Sequence, residues 1–138
     1  MPIKTVRLKH YFFPNIKVDA NPSFVPSSDK EVGIDIKKEI SVSVNEDDDT
    51  LYQVQLDIKI VPQDGKLIPY NVELKAIGFL EVEGDSPDKD GIVRAHGASI
   101  LYSAAREFLL GIMSRGPWAP IMLPLTIFAT HEKKKTSK

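Results

Sequence analysis

The sequence predicts an α+β domain in which four β-strands are followed by one long α-helix. Three segments between residues 34 and 83 alternate apolar and polar side chains, which is typical of strands with one buried face. A helical stretch that is apolar on nearly every side follows, between Ala95 and Met113. Because the strands precede the helix instead of alternating with it, we expect an antiparallel sheet with the helix packed on it.

The first strand is predicted to be irregular and to lie at an edge of the sheet. Val6 and Leu8 alternate with charged residues, and the pattern resumes at Ile16 and Val18. Between them, Pro14 lacks a backbone N–H, which restricts the strand to an edge or a bulge. The proline-rich segment 21–31 is then expected to be a crossover that lets this strand lie away from the next one in the sheet.

Two regular strands follow, and a polar hairpin loop at 45–50 joins them. The second predicted strand has its apolar face at Ile34, Ile36, Ile40, Val42 and Val44. The third has its apolar face at Tyr52, Val54, Leu56, Ile58 and Ile60. Asp64-Gly65 is the next predicted turn, because glycine readily adopts the positive φ that a tight turn needs.

The fourth predicted strand runs from Ile68 to about Glu83. Its apolar positions change phase at Ile77 and Phe79, on either side of Gly78. A glycine at such a change favours a β-bulge or a sharp bend.

The helix is predicted to begin after a loop at 86–91, with Ser99 as its N-cap, and to end at Gly116-Pro117. It has two apolar stripes, one of them formed by Ile100, Ala104, Phe108 and Ile112. The other stripe is predicted to be an interface between copies of the chain, formed by Leu101, Ala105, Leu109 and Met113. Two stripes imply a second buried surface, because one sheet needs only one. The polar face carries Ser103, Arg106, Glu107 and Ser114.

Composition narrows the class of protein. The 138 residues support one domain, and the absence of cysteine excludes disulfides and thiolate ligands, as in a reducing cytoplasm. No apolar run is long enough to insert into a membrane, and the first residues lack the apolar part of a signal peptide. Eighteen basic against nineteen acidic residues argue against nucleic-acid binding.

No motif for catalysis, a metal or a cofactor is present, so we predict a protein that is not an enzyme and has no cofactor. The three histidines lie on unrelated segments, and no nucleophile elbow or phosphate-binding loop occurs. The acidic segment 46–49 and the basic run 133–135 are interpreted as a solvated turn and a solvated tail. Trp118–Phe128 contains three prolines, which exclude a central strand there.

Several apolar side chains lie outside the obvious core. Their two interpretations are core packing and an apolar groove for an extended, unfolded chain. The predicted groove residues are Tyr11, Phe12, Phe13, Phe24, Trp118 and Met122.

The chain resembles the SecB family of protein-export chaperones. The resemblance is strongest at residues 100–107, 114–116 and 123–124, with a second block at 70–74 and 78–80. It covers about residues 3 to 128 and implies a four-stranded antiparallel sheet with a long helix, assembled as a dimer or a dimer of dimers. It also implies binding of unfolded preproteins and transfer to the SecA ATPase.

By position, the resemblance assigns Asp19 and Glu73 to an acidic SecA-docking patch on the outer face of the sheet. Asn15 stands where the family usually has an aspartate. Family members also continue into a second helix, for which residues 130–138 are too short and polar. We therefore predict one SecB-like domain, 1–130, with a polar tail, 131–138.

Two functions from different classes remain at this point. One is a general chaperone for non-native chains. The alternative is an oligomeric interaction module with a dedicated partner, for example a SecB-like protein associated with a toxin–antitoxin system.

Overall fold

The computed structural model describes residues 5–26, 33–126 and 128. It contains a four-stranded antiparallel sheet in the order β1-β4-β3-β2, with one helix packed on one face. The elements are β1 (Thr5–Ala20), β2 (Ile34–Val44), β3 (Leu51–Pro62), β4 (Tyr70–Glu83) and α1 (Lys89–Met113). The predicted fold class is confirmed. The predicted boundary after residue 130, the tail and the question of a second helix lie outside the described residues.

β1 is an irregular edge strand, as predicted from Pro14. Its pairing with β4 shifts register between Leu8 and His10 and again between Phe12 and Asn15, the interval that contains Pro14. β2 lies at the opposite edge of the sheet. The connection between β1 and β2 therefore crosses from one edge to the other, which confirms the predicted crossover.

The two predicted turns join neighbouring strands. In the β2–β3 hairpin, the side-chain oxygen of Asn45 accepts the backbone N–H groups of Asp47 and Asp48 at 2.8 and 3.1 Å. In the β3–β4 turn, Gly65 has a φ of 74°, the left-handed conformation expected of it.

The predicted bulge at Gly78 is wrong, because β4 keeps its alternation along its whole length. Its even-numbered residues are buried beneath α1 on what we call the inner face, and its odd-numbered residues lie on the opposite, outer face. Ile77 and Phe79 are therefore apolar residues of the outer face. Gly78 serves close packing instead, since a Cβ atom there would lie 3.1 Å from Leu101 Cδ2.

α1 begins at Lys89, about ten residues before the predicted start, with Asp88 as its N-cap. Ser99 is thus inside the helix, and the second half of the predicted loop at 86–91 belongs to its first turn. The first turns of the helix contain Gly91 and Gly97, and the low helix propensity of glycine is the reason that the sequence did not predict a helix there. One of them, Gly97, is needed for packing, because a Cβ atom there would lie 2.7 Å from Val54 Cγ2.

The structure also corrects the predicted interface between copies. Leu101, Ala105 and Leu109 are 0% exposed and Met113 is 1% exposed, because all four pack on the chain's own sheet. A second copy cannot contact them. The other stripe, which contains Ala104 and Phe108, is only half-buried.

The core lies between α1 and the two central strands, and the segment after the helix closes one side of it. Ile121 and Leu123 of that segment are buried, and residues 114–126 contain no helix or strand, as the prolines predicted. Arg106, predicted to lie on the polar face, is half-buried, and its Nε donates to the carbonyl of Leu123 at 2.7 Å.

Replacing Gly97 by alanine tests the close approach of α1 to the sheet. We expect Gly97→Ala to lower the free energy of unfolding by about 1–3 kcal/mol, because the buried Val54 side chain has to shift. The matched control is Gly111→Ala on the same helix, where a Cβ atom would meet nothing within 4 Å. This control should gain about 0.5–1 kcal/mol, the usual advantage of alanine in a helix. Urea unfolding measures both, and equal effects would contradict the packing argument.

Candidate functional site

The first candidate surface is a groove of about 660 Å³ between β1 and α1, which we call the helix groove. From β1, Tyr11 and Phe13 line it, with their ring centroids 5.7 Å apart. From α1, Phe108 packs on Phe13 with a centroid distance of 4.9 Å. The remaining lining residues are Ser103, Ala104, Glu107, Gly111, Ile112 and Arg115. The groove is thus apolar along its floor and charged at Glu107 and Arg115.

The second candidate surface lies where the crossover leaves β1, and we call it the crossover cluster. It is defined by the contact between Phe24 and Trp118, together with two neighbouring apolar residues. Val25 follows Phe24 in sequence, and Leu67 precedes Ile68, whose carbonyl accepts a hydrogen bond from Asn21. The rings of Phe24 and Trp118 meet edge to face at 5.4 Å. Val25 is 75% exposed and Leu67 is 56% exposed, so the cluster presents apolar surface to solvent.

A hydrogen-bond network fixes the crossover cluster in place. The indole Nε1 of Trp118 donates to the carbonyl of Asn21 at 3.0 Å. The backbone N–H of Trp118 donates to the hydroxyl of Tyr70 at 3.0 Å, and that hydroxyl lies 2.9 Å from the carbonyl of Trp118 and 3.1 Å from that of Met113. Asn21 in turn donates through its backbone and side chain to the carbonyls of Pro69 and Ile68. The start of the crossover and the segment after α1 are therefore held together.

The six residues predicted for one groove are distributed over several surfaces. Tyr11 and Phe13 line the helix groove, whereas Phe24 and Trp118 belong to the crossover cluster. Phe12 lies on the outer face, where its ring is 6.1 Å from that of Phe79. Met122, 62% exposed, lies beside the other side of α1. The structure corrects the prediction for Phe12, which cannot share a trough with Tyr11 and Phe13 because neighbouring residues of a strand face opposite sides of the sheet.

Some surface residues were missed by the sequence analysis. Val25 lies directly before Pro26 in the crossover, and Leu67 lies directly after Lys66 in the connection between β3 and β4. No periodic pattern of apolar residues marks either position. Phe108 was assigned to a stripe but not to a groove, and only the aromatic contact with Phe13 connects it to β1.

Charges of both signs share the outer face of the sheet. Asp19 and Glu73 both lie there, as the resemblance implied, and Glu73 is paired across strands with Lys17 and Lys59. Its carboxylate lies 3.9 Å from Lys59 Nζ. Asn15, at the position of the expected aspartate, is paired with Lys75. The expected acidic patch is therefore interrupted by lysines.

The acidic loops at the opposite end of the sheet have structural partners. Tyr52 donates its hydroxyl proton to Asp90 Oδ1 at 2.9 Å, and burial together with this bond raises the pKa of Tyr52 to about 12. Asp48 accepts from the side chain and backbone of Thr50, which lowers the pKa of Asp48. Across the described ranges, no group of three or more potential metal ligands occurs. No helix of the described residues could span a membrane.

Comparison with known proteins identifies relatives along nearly the whole chain. The sequence model of the family described as preprotein translocase subunit SecB matches residues 13–135. The protein-export protein SecB of Rickettsia typhi is 24% identical over 136 residues, covering 97% of this chain and 89% of that protein.

Solved structures share the fold. A SecB-like chaperone of Mycobacterium tuberculosis, in complex with a ChAD peptide from the HigA1 antitoxin, has a TM-score of 0.66 at 13% identity and covers 88% of this chain and 90% of its own. A protein of unknown function from Streptococcus agalactiae has a TM-score of 0.53 at 8% identity, covering 90% of this chain and 99% of its own.

Removing the hydroxyl of Tyr70 tests the network that holds the crossover cluster. We expect Tyr70→Phe to cost about 1–3 kcal/mol of unfolding free energy, because the N–H of Trp118 loses its acceptor. Trp118 fluorescence should move to longer wavelength as the indole becomes hydrated. Tyr102→Phe is the control, since its hydroxyl donates to the carbonyl of Pro124 at 2.6 Å, away from the cluster. It should destabilise the fold without moving the emission, and identical shifts in both variants would contradict the assignment.

Proposed function

This chain belongs to the SecB family, and we propose that it is a general chaperone of protein export that holds preproteins unfolded in the cytoplasm. The observation that carries the proposal is the crossover cluster. Two of its apolar side chains are more than half exposed, and hydrogen bonds join Trp118 beside them to Tyr70 and Asn21. Exposed apolar surface on an ordered scaffold is typical of an interaction site.

Non-native chains fit this surface because they expose apolar side chains that folded proteins bury. Burying a side chain the size of Leu or Phe is worth about 1.5–3 kcal/mol, and the gain requires no particular sequence. A surface of this kind therefore selects unfolded over folded proteins. The proposed role is binding, without a catalytic step.

Client binding can be measured with reduced and carboxamidomethylated ribonuclease A, which is permanently unfolded and contains no tryptophan. We expect Trp118 fluorescence to shift on its addition and to remain unchanged with native ribonuclease A. Phe24→Ser combined with Leu67→Ser should weaken binding by about tenfold or more, given the apolar burial lost. The control, Phe12→Ser, lies on the outer face and should leave binding unchanged.

The same titration separates the general chaperone from a dedicated binder. One observation favours the dedicated binder, because the solved structure of the SecB-like chaperone of M. tuberculosis contains an antitoxin peptide. If the wild-type protein does not bind unfolded ribonuclease A, or binds the native and unfolded forms equally, the general-chaperone proposal fails. The protein is then a module that binds a dedicated partner.

We further propose that the helix groove is covered by a second copy, in a dimer or a dimer of dimers. The half-buried stripe of α1 and the aromatic side chains of β1 form one continuous apolar surface there. Light scattering of wild type should give at least twice the chain mass of 15.4 kDa.

Three residues of α1 make a matched series for this test. Ala104→Glu places a charge in the groove and should dissociate the assembly. Ser99→Glu, at an exposed position of the same helix outside the lining of the groove, should leave the mass unchanged. Ala105→Glu should unfold the chain, because Ala105 is 0% exposed in the core of one copy. A wild-type monomer at micromolar concentration would overturn the proposal.

For transfer to the export machinery, the proposed docking residues for SecA are Asp19 and Glu73. The double variant Asp19→Lys with Glu73→Lys should abolish binding to purified SecA, and wild-type binding should weaken with salt because exposed charges are screened. Lys59→Ala should strengthen binding, because it frees the carboxylate of Glu73. Client binding is the control and should not change. Unaltered affinity for SecA in the double variant would remove these residues from the docking site.

A further inference from the structure

β2 is the last strand of the sheet, and no described residue pairs with its outer side as a further strand. At its two ends, Asn45 donates to the carbonyl of Leu51 and Gln63 donates to that of Gly33, each at 2.9 Å. Both bonds involve odd-numbered residues of the β2 side. Because bonding direction alternates along an antiparallel strand, the odd-numbered residues of β2 bond β3, and the even-numbered ones direct N–H and C=O away from the sheet.

Two side chains confirm this direction by bonding the outward carbonyls. Arg94 of α1 donates through Nη1 to the carbonyl of Ile40 at 3.2 Å. Gln63 donates through Nε2 to the carbonyl of Ile34 at 3.3 Å. Among the described residues, nothing bonds the outward backbone groups of Ile36, Lys38 or Val42.

We infer that an extended client segment adds to the edge of β2 as a fifth strand and displaces Arg94 from the carbonyl of Ile40. The inference rests on the proposed function, because a non-native chain has the unpaired backbone that strand addition needs. Backbone bonding also places little demand on client sequence.

The start of β2 lies beside the connection that carries Leu67 of the crossover cluster. Gly33, which directly precedes β2, packs so closely on Lys66 that a Cβ atom there would lie 2.5 Å from Lys66 Cγ. Lys66 is the neighbour of Leu67 in the cluster. A client held at Leu67 would therefore lie close to the start of β2.

The side chains beside the edge indicate which client segments fit. On the inner face, Ile36, Ile40 and Val42 are half-buried, so client residues on this side gain apolar contacts. Lys38 also points to the inner face, with its Nζ 5.5 Å from the ring centroid of Tyr102. The segment from Ile36 to Val42 is about 24 Å long at the usual strand rise, which suits an extended client segment of about seven residues.

The decisive comparison is Val42→Pro with Val42→Ala. The N–H of Val42 faces outward, so proline removes an edge donor without breaking a bond to β3, whereas alanine shortens the side chain and keeps the N–H. With unfolded ribonuclease A as the probe, we expect Val42→Pro to bind about tenfold more weakly than Val42→Ala, as loss of a backbone bond and steric exclusion of a strand would require. Circular dichroism and thermal unfolding check that both variants are folded.

Amide hydrogen exchange gives a readout that does not depend on a substitution. Unfolded ribonuclease A should slow exchange at Ile36, Lys38 and Val42, while the odd-numbered amides of β2 are protected already. Arg94→Ala should tighten binding severalfold, because the client no longer competes for the carbonyl of Ile40. Arg94→Lys, which can still donate to it, is the matched control and should resemble wild type.

The outcomes separate this inference from the proposed function. If wild type does not bind the unfolded probe, both fail. If it binds, but Val42→Pro and Val42→Ala bind equally and the even-numbered amides stay unprotected, only strand addition is overturned. It is also overturned if Val42→Pro lowers the mass of the protein alone, since the edge then pairs with a second copy.

Discussion

Within the described residues, one helix covers a sheet of four strands, and the surfaces at the two edges follow from this difference in width. An α-helix is about 10 Å across and neighbouring strands are about 4.8 Å apart, so α1 covers two strands fully. The inner residues of β3 and β4 are accordingly buried, whereas those of β1 and β2 are only partly covered. Apolar surface remains at both edges. At β1 it forms the helix groove, and at β2 it borders the open edge.

Close packing at the centre brings α1 against the two central strands. Gly97 lets α1 approach Val54, and Gly78 makes room for Leu101. The segment after α1 then returns along the helix, where Tyr102 bonds the carbonyl of Pro124 and Arg106 that of Leu123. Its turn beside Tyr70 brings Trp118 against Phe24 and so creates the crossover cluster.

The outer face of the sheet differs from the inner face, because α1 does not cover it and positively and negatively charged side chains alternate there. Cross-strand neighbours such as Glu73 and Lys59 compensate one another, and exposed pairs of this kind contribute little to stability. A face with balanced charge attracts a charged partner weakly over long distances. The proposed client-binding surfaces therefore lie on the inner side and at the edges of the sheet.

The sequence by itself determined the strands, their turns, the edge position of β1 and the existence of a long helix. These follow from local chemistry: period-two alternation, a proline without an N–H, and Asp64-Gly65 in a turn. The start of α1 did not follow, because Gly91 and Gly97 disfavour a helix locally and only burial against the sheet compensates for them. Nor could the sequence assign the two helix stripes. Periodicity groups the residues that share a face, whereas the surface that each face meets depends on how the whole chain packs. For the same reason, only the tertiary structure separated Phe12 from Tyr11 and Phe13, and brought Arg94 to the carbonyl of Ile40, 54 residues away in sequence.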